Sequence, residues 1–160
     1  MIKAASQLYM NTREDGAFRF LGVPTLLRSP GETSGGAFSL IEQWSIPPGF
    51  GSPYHVHHLE DEAFYVLEGE VAFVCDNKWV KAGPGAYVFG PREIPHGFKV
   101  IGTAPARTLL VCSPAGFERF VLELSEDLTS PAAPPETEKL ASVAAKYGID
   151  ILGPLPEGPA

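Results

Sequence analysis

Short apolar segments separated by turn residues fill the middle of the chain. Seven such segments, rich in β-branched and aromatic residues, occupy residues 38–46, 63–67, 71–75, 78–81, 86–89, 97–101 and 106–112. Every gap between them contains Gly, Pro, Asn or Asp, and the pair Asp76-Asn77 is typical of a tight hairpin. Short strands at this regular spacing predict an all-β protein, built as a sandwich or a barrel.

A helical period replaces this pattern after residue 112. Apolar residues then recur at spacings of three and four, which predicts two short helices on either side of a linker rich in Ser, Thr, Pro and Ala. Gly148 is placed to end the second helix. We expect both apolar stripes to pack on the outside of the β body. The stripes consist of Phe117, Phe120, Val121 and Leu124, and of Leu140, Val143, Ala144 and Tyr147.

The predicted elements divide the 160 residues into three parts. These are an N-terminal strand extension over residues 1–37, a β core over residues 38–115, and a C-terminal helical extension with a tail over residues 116–160. The chain holds 17 Gly and 16 Pro, well above their usual share, and this excess favours many turns and few long helices.

Charge and hydropathy exclude several kinds of partner. The formal net charge is −7 without any cluster of Lys and Arg, so we expect no nucleic-acid binding. No apolar run is long enough to cross a bilayer, and the first ten residues lack the apolar region of a secretory signal. We therefore expect a cytoplasmic protein without membrane contact, in which Cys75 and Cys112 are reduced thiols. Arg92 is expected to be a solvated turn charge.

Three of the four histidines lie within four residues of one another. On a strand, residues two apart point to the same face, about 6.6 Å apart, so His55 and His57 can face one metal ion. His58 then points to the opposite face. Past a short loop, Glu62 can add an oxygen ligand from the neighbouring strand, and His96 can supply a third nitrogen.

The spacing of these residues resembles the first motif of the cupin superfamily. Gly49 is followed after five residues by His55-Val-His57, after four more by Glu62, and after six more by Gly69. Every fixed position of that motif is matched.

A second segment resembles the second cupin motif in part. Gly85, Pro91 and His96 occupy matching positions, whereas Glu93 and Val100 stand where the family has Gly and Asn. Those two departures concern turn geometry and leave the ligand position in place.

The resemblance implies a fold and a ligand set. The expected fold is a single antiparallel jelly-roll β-barrel with a metal ion inside its mouth and the C-terminal helices packed outside. The ligands would be His55, His57, Glu62 and His96. Three imidazoles and one carboxylate suit one divalent transition metal, and Mn, Fe, Co, Ni, Cu and Zn all stay open.

Four phenylalanines are candidates for the lining of a pocket around the ion. By strand alternation, two of them follow the ligands Glu62 and His96 on the same face of their strands. Such a lining would suit a small apolar or aromatic substrate. The four residues are Phe50, Phe64, Phe73 and Phe98.

Longer segments resemble a particular group of cupins. HVHHLEDEAFYVLEGE, AGPGAYVFGPREIPHGFKV and the tail over residues 138–154 are similar to single-domain bacterial cupins grouped with quercetin 2,3-dioxygenases. The resemblance implies a metal-dependent dioxygenase that opens an enol or flavonol ring with O₂, in which Glu62 is the catalytic base. Two alternatives stay open: a non-redox metal-dependent isomerase or decarboxylase, and a cupin that only binds a small molecule.

The N-terminal part adds an expectation about assembly. Residues 7–10 and 18–20 have the composition of further strands. Cupins of the kind that the chain resembles often pair through such strands, which implies a homodimer.

Overall fold

A computed structural model of the protein describes residues 8–131, 133 and 135–158. Twelve strands and two α-helices follow one another along this part of the chain. They are β1 (Phe18–Phe20), β2 (Val23–Ser29), β3 (Ser39–Ile46), β4 (Tyr54–His57), β5 (Asp61–Glu68), β6 (Glu70–Cys75), β7 (Lys78–Ala82), β8 (Tyr87–Gly90), β9 (His96–Ile101), β10 (Ala106–Ser113), α1 (Phe117–Glu123), β11 (Ser125–Glu126), α2 (Thr137–Lys146) and β12 (Ile149–Gly153).

The strands form two antiparallel sheets that pack face to face. The seven-stranded sheet has the order β11-β1-β2-β3-β10-β5-β8, and the five-stranded sheet has the order β12-β4-β9-β6-β7. Inward-facing side chains of both sheets form a shared apolar core, in which the rings of Phe64 and Phe73 lie 5.0 Å apart between centroids. This arrangement of short strands confirms the all-β prediction and is consistent with a jelly roll.

The two sheets do not close into the barrel that the family resemblance implies. Within the described residues, no backbone ladder joins one sheet to the other. One physical reason is β12, which pairs with the outer edge of β4 and so occupies the backbone groups that closure at this edge would need. The protein is therefore a sandwich of two open sheets.

Both helices lie against one end of the sandwich and contribute side chains to its interior. Six residues of the predicted stripes are buried and two, Leu140 and Tyr147, are partly buried, and together they form one core cluster with residues of β1, β3, β10 and β12. Gly148, with a φ of 69°, follows the end of α2 as predicted. Both helices thus pack against the β body as predicted, and in addition Phe117, Phe120, Val121 and Leu140 line the cavity described below.

The N-terminal part supplies two strands to the seven-stranded sheet. β1 pairs with β2 and with β11. Residues 8–10 form no strand, although the sequence predicts one there, and Leu8 and Met10 are exposed. Gln7, the first residue of that predicted strand, lies outside the described residues.

Two further observations bear on the chemistry of the chain. Cys75 and Cys112 are free thiols, as expected. No helix in the described ranges has both the length and the apolar character needed to cross a membrane.

A buried carboxylate ties the N-terminal part to the seven-stranded sheet. Glu42 on β3 is 1% exposed and accepts hydrogen bonds from Arg13 (2.8 Å), Arg28 (2.6 Å) and Arg107 (2.8 Å). Burial raises the pKa of Glu42, but the three guanidinium groups outweigh it and hold the pKa at about 2. The ionised form therefore stabilises the fold above the ordinary pKa of about 4.5, and this contribution is lost as the pH falls towards 2.

We expect Glu42→Gln to lower the free energy of unfolding at pH 7 by about 3 kcal/mol, the worth of that pKa difference. Urea denaturation at pH 7 and pH 3 measures it, and the difference from the wild type shrinks at the lower pH. Glu68→Gln is the matched control, because Glu68 also bonds Arg107 but is 64% exposed. Equal losses in the two variants would contradict the role assigned to Glu42.

Candidate metal centre

Three histidines lie on two neighbouring strands of the five-stranded sheet. His55 and His57 are both on β4 and point to the same side, as strand alternation predicts. His96 begins β9 directly opposite His55. The three imidazole rings lie 4.6 to 5.5 Å apart between centroids. They form a compact triangle that faces the interior of the sandwich.

Glu62 reaches the same place from the other sheet. It lies on β5 of the seven-stranded sheet, and not on a strand next to β4 as the sequence suggested. Its Oε2 atom lies 2.6 Å from Nε2 of His96, 3.5 Å from Nε2 of His57 and 4.0 Å from Nε2 of His55. One ligand atom from each of the four residues lies within 4.8 Å of the others. The four predicted ligands therefore form one cluster that spans both sheets.

Backbone hydrogen bonds orient two of the rings. Nδ1 of His55 donates to the carbonyl of Pro53 (2.7 Å), and Nδ1 of His96 donates to the carbonyl of Ile94 (2.9 Å). An imidazole that donates from Nδ1 keeps the lone pair of Nε2 for a ligand. In both rings this Nε2 atom faces the cluster.

Glu60 orients the third ring and was missed by the sequence analysis. It is 3% exposed, and its carboxylate accepts a hydrogen bond of 2.6 Å from Nδ1 of His57. A carboxylate hydrogen-bonded to a histidine ligand fixes the orientation of the ring and makes its other nitrogen a stronger electron-pair donor to a metal. Glu60 belongs to the run Glu60-Asp61-Glu62, and strand alternation cannot tell which carboxylate of a loop turns inward.

The cluster has the unsatisfied groups that a metal ion would satisfy. Nε2 of His57 is buried and has no hydrogen-bond partner among the described residues. Nε2 of His96 faces the Glu62 carboxylate at 2.6 Å, and two acceptors at that distance repel unless a proton or a cation lies between them. Three imidazoles and a carboxylate fit a divalent transition metal, and all six metals named above accept this donor set.

Burial and mutual charge set the protonation states of the ligands. Burial raises the pKa of Glu62, but the charge of His57 and the hydrogen bond from His96 outweigh it and hold the pKa at about 2. Burial lowers the pKa of His55 to about 4. Burial also acts to lower the pKa of His96, but the hydrogen bond to Glu62 raises it above its ordinary value. At neutral pH Glu62 is ionised and His55 is neutral, the forms that bind metal.

The cluster adjoins an apolar cavity of about 80 Å³. The four phenylalanines named from the sequence, Phe50, Phe64, Phe73 and Phe98, all line it. Outside the cluster, the polar residues that line the cavity are Gln43, Ser52 and Thr108. Among the described residues, no Lys or Arg side chain reaches the wall. The four residues of the cluster therefore carry all the ionisable groups of this cavity.

The C-terminal part of the chain forms one wall of the site, which the sequence analysis did not foresee. The ring of Phe117 on α1 lies 5.1 Å from that of His57, edge to face. Ile149 and Ile151 of β12 pair with His57 and His55 across the strands and also line the cavity. Helix and strand periods show that these residues are buried, but they do not show which part of the core they join.

His58 points away from the cluster, as alternation predicts. Its side chain is 38% exposed and hydrogen-bonds the carboxylates of Asp150 through Nε2 (2.7 Å) and Glu93 through Nδ1 (2.9 Å). These two hydrogen bonds raise the pKa of His58. His58 is therefore outside the ligand set.

The two open sheets and the four clustered side chains form a β-sandwich with a candidate site for a divalent metal. Residues 42–112 match the family model described as a cupin domain. The matched residues include all four residues of the cluster.

Known proteins are similar to parts of the chain. An uncharacterized protein of Methanocaldococcus jannaschii is 31% identical over 68 residues, which are 42% of this chain and 54% of that protein. The chain thus spans about half the length of the curated relative that it matches.

Solved structures share the fold. KdgF from Halomonas sp. superposes with a TM-score of 0.61 at 13% identity, over 71% of this chain and 99% of KdgF. A predicted oxalate decarboxylase from Thermotoga maritima superposes with a TM-score of 0.51 at 25% identity, over 57% of this chain and 80% of that protein. The first likeness concerns the fold alone.

Proposed function

We propose that the protein is a metal-dependent dioxygenase that opens the ring of an enol or a flavonol with O₂. The observation that carries the proposal is a buried, ionised Glu62 among three imidazoles beside a cavity lined with aromatic rings. The resemblance of its motif segments to quercetin 2,3-dioxygenases supports the same reaction.

The residues of the site have separate tasks in this reaction. His55, His57 and His96 would hold the metal together with Glu62, and Glu62 would also take the proton of the substrate hydroxyl. A carboxylate with a pKa of about 2 is a weak base, so Glu62 alone would not remove a proton from an ordinary hydroxyl. A bound metal would supply what is missing, because it would lower the pKa of the substrate hydroxyl that it binds. The phenylalanines of the wall would hold the flat ring and exclude water.

The proposed reaction balances without an external reductant. Both atoms of O₂ enter the products. In a flavonol, two carbon–carbon bonds of the central ring break and one ring carbon leaves as carbon monoxide. The other ring atoms stay in the depside product, so the substrate itself supplies all the electrons that reduce O₂.

A non-redox decarboxylase is the second candidate. The similarity to the predicted oxalate decarboxylase from Thermotoga maritima, at 25% identity, is the observation that favours it. The cavity wall favours the dioxygenase, because aromatic and aliphatic side chains suit a neutral ring better than a small dianion such as oxalate.

Metal analysis followed by oxygen uptake tests the proposal. The purified protein is reconstituted separately with each of the six metals, and O₂ consumption is followed with a panel of flavonols and simple enols. We expect uptake with at least one redox-active metal, carbon monoxide from flavonols, and an inactive zinc form as the matched control. Turnover without O₂ consumption would show that the protein is an isomerase or a decarboxylase. Binding of the compounds without turnover would show that it only binds a small molecule.

We also propose that the protein is a homodimer, through a surface that the sequence did not indicate. Tyr65, Tyr87 and Phe89 lie on the outer face of β5 and β8 and are 42%, 63% and 50% exposed. The outer face of a sandwich is ordinarily polar, and exposed aromatic clusters are typical of contact surfaces. A second copy of the chain is the occupant that we assign to this face.

Light scattering at micromolar concentration measures the assembly. We expect twice the mass of one chain for the wild type and one chain for the double variant Tyr87→Lys, Phe89→Lys, because two charges on this face oppose its burial. Leu122→Lys is the control, since Leu122 is 47% exposed on α1, away from this face. A monomeric wild type would refute the dimer.

A further inference from the structure

Two consecutive residues of the segment between β8 and β9 each bond the neighbour of a metal-ligand candidate. Arg92 bonds Asp61 three times: its backbone N–H donates at 2.8 Å, Nε at 3.2 Å and Nη2 at 3.0 Å. Nη2 also donates to the carbonyl of Ser113 at the end of β10. Arg92 is 42% exposed in this turn, so it is the solvated turn charge that the sequence predicts, and these hydrogen bonds also hold it in place. Asp61 immediately precedes Glu62 on β5.

Glu93 makes the corresponding contacts on the opposite side of the segment. Its backbone N–H donates to the carbonyl of His57 at 2.7 Å, and its carboxylate accepts the hydrogen bond from Nδ1 of His58 at 2.9 Å. The other nitrogen of His58 bonds Asp150 on β12. Three residues after Glu93 the chain reaches His96.

Glu93 occupies a backbone conformation that a glutamate rarely adopts. Its φ is 65°, in the left-handed region where glycine is at ease, and the cupin motif has glycine at this position. A residue with a side chain persists in such a conformation when its surroundings hold it there. Here the side chain is used, because it forms the hydrogen bond to His58.

We propose that Arg92 and Glu93 form a two-armed latch that positions the ligands of the metal centre. The arm of Arg92 fixes the segment leading to His96 against the strand of Glu62, and the arm of Glu93 fixes it against the strand of His57. The latch thereby fixes the distances between β4, β5 and the segment that leads to His96. It also connects to β12, because His58 bonds Asp150 on that strand. The proposal rests on the metal centre described above, and it makes Arg92 and Glu93 positioning residues.

The latch is expected to act on metal retention more than on stability. Exposed ion pairs add little to the free energy of unfolding, and Arg92 and Glu93 are 42% and 59% exposed. Residues behind the ligands nonetheless change metal affinity by about 10-fold to 100-fold, because small displacements of a ligand weaken its bond to the ion. The two kinds of measurement therefore separate positioning from folding.

The experiment compares metal release and ligand geometry in four variants. The full chain is loaded with Co²⁺, its visible absorption is recorded, and release to excess EDTA is timed. We expect about 10-fold faster release and a changed Co²⁺ spectrum for Arg92→Met and for Glu93→Gly, with a larger effect when both are combined. Glu93→Gln keeps an acceptor for His58 and should retain the wild-type rate. Urea denaturation of metal-free Arg92→Met should differ little from the wild type, and metal-free Glu93→Gly should lose no stability, because glycine adopts a φ of 65° without strain.

The control is Lys146→Met, which removes an exposed ion pair to Glu123 (2.7 Å) outside the metal centre and should leave both readouts unchanged. Wild-type release rates and spectra in Arg92→Met and Glu93→Gly would overturn the latch while leaving the metal centre intact. Faster release accompanied by an equal loss of metal-free stability would also overturn it, in favour of a structural role. A wild type that binds no Co²⁺ would overturn the metal centre itself, and with it the proposed function.

Discussion

Glu62→Gln is expected to lower turnover by about 10²-fold to 10⁴-fold, the usual worth of a positioned general base. Glutamine has the size of glutamate and keeps an oxygen donor for the metal, but it cannot take up a proton at neutral pH. Metal affinity should therefore fall only modestly, and the fold should survive because no apolar contact is lost. Steady-state kinetics on an active substrate, metal content and thermal unfolding measure the three effects.

The matched control for this variant is Glu68→Gln on the same strand. Glu68 is 64% exposed and lies away from the cluster, so the same substitution there should leave turnover unchanged. A Glu62→Gln protein with wild-type turnover would show that the proton goes elsewhere. A Glu62→Gln protein that loses its metal but regains wild-type turnover when metal is supplied in excess would show that Glu62 acts as a ligand only.

His57→Ala is expected to lose most of the metal, with an affinity at least about 100-fold lower, since even residues behind a ligand are worth up to that much. His57 is 1% exposed, and its removal also leaves the buried Glu60 carboxylate without a partner. We therefore expect the metal-free variant to unfold at a lower temperature than the metal-free wild type. Elemental analysis after reconstitution and thermal unfolding measure the two losses.

Glu60→Gln separates the ligand from the group behind it. The amide oxygen can still accept the hydrogen bond from Nδ1 of His57, while the negative charge is gone. We expect metal affinity between those of the wild type and His57→Ala, about 10-fold below the wild type.

His57→Ala with a full complement of metal would show that the four-residue cluster is not the binding site.

The residue periods along the sequence predict correctly those features that depend on a single strand or a single turn. Residues two apart share a face of a strand, so the pairing of His55 with His57 and the outward direction of His58 follow from the sequence alone. The same holds for the hairpin at Asp76 and Asn77, whose φ values of 48° and 59° suit the tight turn that these residue types favour.

The pairing of strands that are distant in the sequence could not be predicted in this way. A period does not say which sheet a strand joins, so Glu62 was expected beside β4 although β5 belongs to the opposite sheet. The pairing of β12 with β4 joins residues more than 90 positions apart, and no local pattern encodes it. The roles of Glu60 and Arg92 depend on loop conformations, which composition does not fix.

The pairing of β12 with β4 has a consequence for the order in which the protein is made. Residues 149–153 leave the ribosome long after His55 and His57, by several seconds at about 5–20 residues per second. Until then β4 is a sheet edge with unpaired backbone groups, and the wall that Ile149 and Ile151 provide is missing. We therefore expect the nascent chain to bind a metal ion at this cluster only after β12 has been synthesised and has paired with β4.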